Sequence, residues 1–232
     1  MSQQQLSTPK TVHVPVRPVP SAKFEAIASE QDFRLIQHLF VTPGRARGVI
    51  AFCPVDQGSG CSWIVSRLAR AMAKNLSQSV CVVDADFRSS SQHRNFALSS
   101  AKGFAQSIVE SIPVRGLCQQ ISGANLWVLP AGGVFADPYR MLLADRLKAR
   151  IEELRKEFDY VLIDTPAAAA HIDAALIGKW TDGMVVVLGA DRTRHEAAIG
   201  VRENIDALGV PVLGAVLNDR TYPVPEFLYR RL

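Results

Sequence analysis

The chain has 232 residues, 48% of them apolar, with 26 Lys and Arg against 22 Asp and Glu. That suffices for one sizeable core but not two, and excludes global disorder. A net charge of +4 without a dense basic run argues against a nucleic-acid partner. No apolar run approaches bilayer-spanning length, and "MSQQQLSTPK" lacks the basic start and apolar centre of a secretion signal. A cytoplasmic location is the expectation. The four cysteines (Cys53, Cys61, Cys81, Cys118) form no CxxC pair and have no zinc-type spacing. Cys53 and Cys81 lie in apolar runs and are expected as buried free thiols.

Residues 1–22 are polar and then Pro-spaced, which predicts an extended, mobile tail. Residues 23–40 carry Phe33, Ile36, Leu39 and Phe40 at helical spacing, predicting an amphipathic helix. Strand-like apolar runs follow at 48–53, 79–86, 125–131, 160–165, 183–189 and 211–218. Helical patterns separate them, clearest over 62–76, 137–157 and 193–208. Near-continuous apolar strands alternating with helices predict an α/β fold: a doubly wound, mostly parallel sheet with helices on both faces. One domain is expected over 23–220, with a short C-terminal tail over 221–232.

Three segments carry chemistry. In "PVDQGSGCSW" Gly58 and Gly60 allow a tight turn with N–H groups directed at an anion, and a helix starting near Ser62 adds its positive end. Ser62 stands where a P-loop hydroxyl meets Mg²⁺, whereas the first Gly and the Lys of that consensus are Val55 and Cys61. A plain Gly-rich strand-to-helix turn would contain the same residues. In "VCVVDADFR" Asp84 and Asp86 close a strand expected to lie beside the loop strand, at the end where such sheets bind ligands. They suit metal-bound water or proton abstraction from a hydroxyl; capping of neighbouring helices is the alternative. In "FDYVLIDTP" an apolar strand ends in Asp164, the pattern of a Mg²⁺-holding Walker B carboxylate.

With "LWVLPAGGVFADPYRMLL", "TDGMVVVLGADRT" and "GVPVLGAVLND" in the same order, the chain resembles the bacterial tyrosine kinases of capsule and exopolysaccharide synthesis. These belong to the ParA/MinD-like branch of P-loop ATPases. The resemblance covers roughly residues 25–220. It implies a cofactor site for ATP with Mg²⁺ at Gly58, Ser59, Gly60, Cys61, Ser62, Trp63 and Asn218, the last on the adenine side. It also implies a metal set of Ser62, Asp84 and Asp164, and Asp84 with Asp86 as the catalytic acids. Tyr222 and Tyr229 stand where such kinases carry phosphoacceptors, although ordinary tail aromatics read the same. The implied partner is the cytoplasmic segment of an inner-membrane chain-length or co-polymerase protein, with peripheral membrane location through it and a possible homo-oligomer.

The departures concern charge. Cys61 replaces the phosphate-binding Lys, and Asp56 occupies the place of the second, early Lys of the wider superfamily. Losing one charge-assisted contact costs about 1.5–3 kcal/mol of binding. Arg88, Arg192 and Arg194 are the candidate substitutes. The ExxRxxR pattern that supports ring assembly in the family reads Gln31, Arg34 and Gln37. A thiol at a helix start can become a reactive thiolate, but Asp56 opposes this and a space-filling Cys61 is favoured. The expectation is a degenerate relative in which ATP binding is weak or lost. An active autokinase with an altered loop and a ParA/MinD-type positioning ATPase are the competing readings.

Overall fold

The computed structural model describes residues 11–12, 22–40, 48–99, 102–133, 139, 142 and 145–219. Tyr222 and Tyr229, the C-terminal tail and most of the N-terminal tail lie outside these residues. The strands are β1 (Thr11–Val12), β2 (Gly48–Pro54), β3 (Val80–Asp84), β4 (Gln119–Ile121), β5 (Leu126–Leu129), β6 (Tyr160–Asp164), β7 (Gly183–Gly189) and β8 (Val212–Asn218). The helices, in chain order, are α1 (Ala22–Phe40), α2 (Cys61–Asn75), α3 (Gln92–Asn95), α4 (Phe104–Val109), α5 (Val114–Leu117), α6 (Asp145–Glu157), α7 (Asp173–Gly178) and α8 (His195–Ala207).

The strands form one sheet in the order β1-β4-β5-β3-β6-β2-β7-β8. Every pairing is parallel except β4 with β5. The six expected strands are all present; β1 and β4 are additions, and both are too short to give a periodic signal. The sheet corrects one expectation: β3 does not lie beside the loop strand β2, because β6 is inserted between them. Such non-local order follows from crossover connections rather than from local pattern.

Burial on both faces explains the apolar runs of β2, β3, β5, β6 and β7; β8, at the end of the sheet, is only partly covered. Along β2, Val49, Ala51 and Cys53 face a core formed with α4 to α8, while Ile50 and Phe52 face a second core under α1 and α2. Helix α2 holds its place through Ile64, Val65, Leu68, Ala69 and Met72, each large side chain contributing about 1.5–3 kcal/mol on burial. Cys53, Cys61, Cys81 and Cys118 are all free and buried. In α1, Ile36, Leu39 and Phe40 are buried as expected, but Phe33 is 51% exposed. The buried neighbour is Asp32, paired with Arg67 of α2 at 2.7 Å. An ion pair between two helices therefore takes the place the spacing gave to an aromatic. Arg34 is exposed and pairs with Glu30 at 2.7 Å.

Candidate nucleotide site

Strands β2, β6 and β3 end side by side. Phe52 of β2 is in register with Asp164 of β6, and Asp164 is in register with Asp84 of β3. Parallel order therefore brings two carboxylates and the β2–α2 loop to one edge of the sheet, where open α/β sheets bind ligands.

The loop folds on itself. Val55 N donates to Val187 O at 3.0 Å, and Asp56 O accepts from Ser59 N and Ser59 Oγ at 3.4 and 2.9 Å. Gly58 and Gly60 are left-handed, with φ of 83° and 79°, a region that penalises a side chain. At Gly60 a Cβ would also lie 2.3 Å from Asn218 Nδ2. Two outside side chains clasp consecutive carbonyls: Arg192 NH1 donates to Gly58 O at 2.7 Å, and Asn218 Nδ2 to Ser59 O at 2.9 Å. Asn218 thus holds the loop itself.

Cys61 begins α2. Burial pushes its thiol well above the usual value, and the charges of Asp164 and Asp86 and the neighbouring Cys53 push the same way. A reactive thiolate is opposed, in keeping with the space-filling reading. Ser62 is half-buried, and its carbonyl accepts from Gln92 Nε2 at 2.9 Å and Asn95 Nδ2 at 3.2 Å. Trp63 is 47% exposed, with the Arg67 guanidinium 4.4 Å from its ring centroid.

The acids divide into different roles. Asp84 is fully buried; its Oδ1 accepts from Asp86 N at 3.2 Å and its Oδ2 from Ser91 N and Gln92 N at 2.9 Å each. It ties down the turn into α3, the capping alternative. Asp86 is half-buried, and its Oδ1 accepts from Arg88 N and Ser89 N at 3.0 and 2.8 Å. Asp164 is 1% exposed; Oδ2 accepts from Gln92 Nε2 at 2.8 Å, whereas Oδ1 has no partner within hydrogen-bond geometry among the described residues. Burial raises Asp84 to about 7, with the Asp164 charge adding to the shift and the backbone donors opposing it. Burial likewise raises Asp164 to about 6, opposed by the Ser62 hydroxyl and Gln92 amide. Among the described residues, no cation is paired with either carboxylate.

The candidate arginines are placed differently. Arg88 Nε is 3.0 Å from Asp173 Oδ2 and is committed to α7. Arg194 is exposed at the start of α8, while Arg192 lies on the loop. Gln92 went unnoticed in the sequence, although it links Ser62 to Asp164; a single Gln in "SSSQHRN" carries no pattern that reveals it.

Asp164 Oδ1, buried and unpartnered beside Ser62, fits a Mg²⁺ ion or one of its waters. The left-handed glycines fit a phosphate cradle. What does not fit is Cys61, which supplies no charge. Among the described residues, no cluster of three or more His, Cys, Asp or Glu side chains converges as a metal site by itself.

A glycine loop between strand and helix, with acids ending two neighbouring strands of the sheet, defines a P-loop NTPase of the ParA/MinD-like kind. The family model described as "Cellulose biosynthesis protein BcsQ" matches residues 48–202, more than half the chain, which therefore belongs to that family. Tyrosine-protein kinase CpsD of Streptococcus agalactiae is 28% identical over 195 residues, covering 84% of this chain and 85% of its own. The kinase domain of Escherichia coli tyrosine kinase ETK superposes with a TM-score of 0.77 at 23% identity, over 85% of this chain and 78% of that one. The cell division ATPase MinD of Pyrococcus furiosus gives a TM-score of 0.63 at 21% identity, over 79% of each chain. The last two likenesses show the fold. Among the described residues no helix is long and apolar enough to cross a membrane.

Proposed function

We propose that this protein is a regulatory member of the polysaccharide-synthesis branch of these ATPases, in which ATP binding is weak or lost. The observation that carries this reading is Cys61: a buried neutral thiol occupies the lysine position, against the buried carboxylate of Asp164. A phosphate chain entering there meets Asp56, Asp86 and Asp164 and no loop lysine, so like charge opposes it. The fold persists because the glycines, Asp84 and Gln92 also hold the loop and α3 in place. The protein then acts by docking, on the cytoplasmic segment of an inner-membrane chain-length or co-polymerase protein of exopolysaccharide synthesis. The description of its family favours cellulose as that polysaccharide.

An active tyrosine autokinase is the second reading. It is favoured by the unpartnered Oδ1 of Asp164 and by half-buried Asp86, with Tyr222 and Tyr229 as acceptors. One experiment separates the two: incubate the protein with Mg²⁺-ATP and follow phosphate release and phosphotyrosine, beside Cys61→Lys. The regulatory reading expects neither signal from the unmodified chain. Turnover at rates typical of kinases, with phosphate on Tyr222 or Tyr229, overturns it.

A further inference from the structure

The loop has no lysine, and among the described residues one cation is hydrogen-bonded to it. Arg192 follows β7, and its NH1 lies 2.7 Å from Gly58 O. The backbone that carries it is tied to the end of β7. Arg192 N donates to Gly189 O at 3.3 Å, and Gly189 N donates to Thr193 Oγ1 at 3.0 Å. A Cβ at Gly189 would touch both the Arg192 stem, at 3.5 Å, and Ser59 Cβ, at 3.6 Å. The arginine and the loop therefore share one small-residue seat at the end of β7.

Its bonding distinguishes this arginine from the others nearby. Arg88 and Arg67 are paired with carboxylates at 3.0 and 2.7 Å. The Arg192 partner among the described residues is a neutral carbonyl, and the residue is exposed. A guanidinium has five N–H donors in a planar fork, so one bond to Gly58 O leaves others for an anion. The buried, unpartnered Oδ1 of Asp164 beside the first turn of α2 independently marks this edge as built for a ligand.

We propose that Arg192 supplies the positive charge for a polyphosphate chain at the 56–62 loop, in place of the lysine lost at position 61. This rests on the reading of that loop as a nucleotide-type site and assigns whatever affinity it retains to a residue outside the loop. The ligand chemistry is that of a polyphosphate, either free or as part of a nucleoside triphosphate. Bidentate contact with phosphate oxygens is the geometry a guanidinium favours.

The test is calorimetric titration of Mg²⁺-ATP and, separately, sodium tripolyphosphate into the full chain and into Arg192→Ala, Arg192→Gln and Arg192→Lys. Both ligands are expected to bind the unmodified chain weakly, in the high micromolar to millimolar range, and more weakly as salt rises. Arg192→Ala and Arg192→Gln are expected to lose at least tenfold, and Arg192→Lys to keep part of the affinity. Gln can still donate to Gly58 O but carries no charge. Affinity retained in Arg192→Gln would mean the residue only shapes the loop, and the proposal fails. It fails too if the unmodified chain binds neither ligand, or if ATP binds, tripolyphosphate does not, and Arg192→Ala leaves ATP binding unchanged. In none of these cases is the regulatory reading affected; that reading fails on turnover and phosphotyrosine, which these titrations do not measure.

Discussion

The two ends of the sheet treat their carboxylates in opposite ways. At the amino end, Asp182 precedes β7 and accepts from Val49 N at 2.7 Å and from Arg155 NH1, which lies 2.8 Å from each of its oxygens. Asp159 precedes β6 and accepts from Ser79 N and Ser79 Oγ at 2.9 and 2.8 Å. At the carboxyl end, Asp84 and Asp164 are more deeply buried, with no cation paired to either among the described residues, and burial raises both. At the amino end the half-buried Asp182, met by a guanidinium, follows the ordinary rule that charge withdrawn from water is paired. The carboxyl end breaks it, and sites that break such rules are where function, present or past, is expected.

This contrast can be broken or sharpened by substitution. The largest effect is expected from Cys61→Lys, which places an ammonium among Asp84, Asp86 and Asp164. Mg²⁺-ATP affinity should rise roughly 10- to 100-fold, the equivalent of one charge-assisted hydrogen bond; equilibrium titration checks it. At the amino end, Asp182→Ala orphans the Val49 N–H and the Arg155 guanidinium. Urea unfolding should register a loss of about 1–3 kcal/mol. In the loop, Gly60→Ala combines a left-handed backbone with a Cβ 2.3 Å from Asn218 Nδ2. A loss of about 1–2 kcal/mol is expected, and the thermal midpoint should fall accordingly. The smallest effect concerns Cys61: its buried thiol should resist alkylation by iodoacetamide at pH 8 in the native protein and react only on unfolding, as peptide mass spectrometry would show.

Much of this was legible in the sequence, for definite reasons. Five of the six main strands are apolar because both faces are covered, and that pattern is local; β8, at the end of the sheet, is apolar without such cover, with Leu217 53% exposed. The acids at 84, 86 and 164 stand out because each ends an apolar run. The pairing of β3 with β6 rather than β2 was not legible, since strand order is set by crossovers. The inward turn of Asp32 at the expense of Phe33 was also hidden, because it depends on Arg67, 35 residues away along the chain. Arg88, Arg192 and Arg194 are alike as letters; only the fold commits Arg88 to Asp173 and lays Arg192 on Gly58. The use of Asp84 as a cap for the turn into α3 likewise required knowledge of where Ser91 and Gln92 place their N–H groups.

The most direct test of an uncompensated carboxyl end is stability against pH. A carboxyl group whose pKa is raised on folding binds protons more tightly in the native state. Stability is then full below the unfolded value and falls as pH rises through the folded one. Urea unfolding of the unmodified chain and of Asp164→Asn should be compared between pH 4.5 and pH 7.5. Asn can accept from Gln92 through its carbonyl and carries no charge. The account predicts that the unmodified chain loses stability across this range relative to Asp164→Asn, by on the order of 1–3 kcal/mol, so that the variant is the more stable protein at pH 7.5. Equal slopes, or an unmodified chain that gains stability on the variant as pH rises, would mean that Asp164 is compensated in the folded protein and would contradict the account.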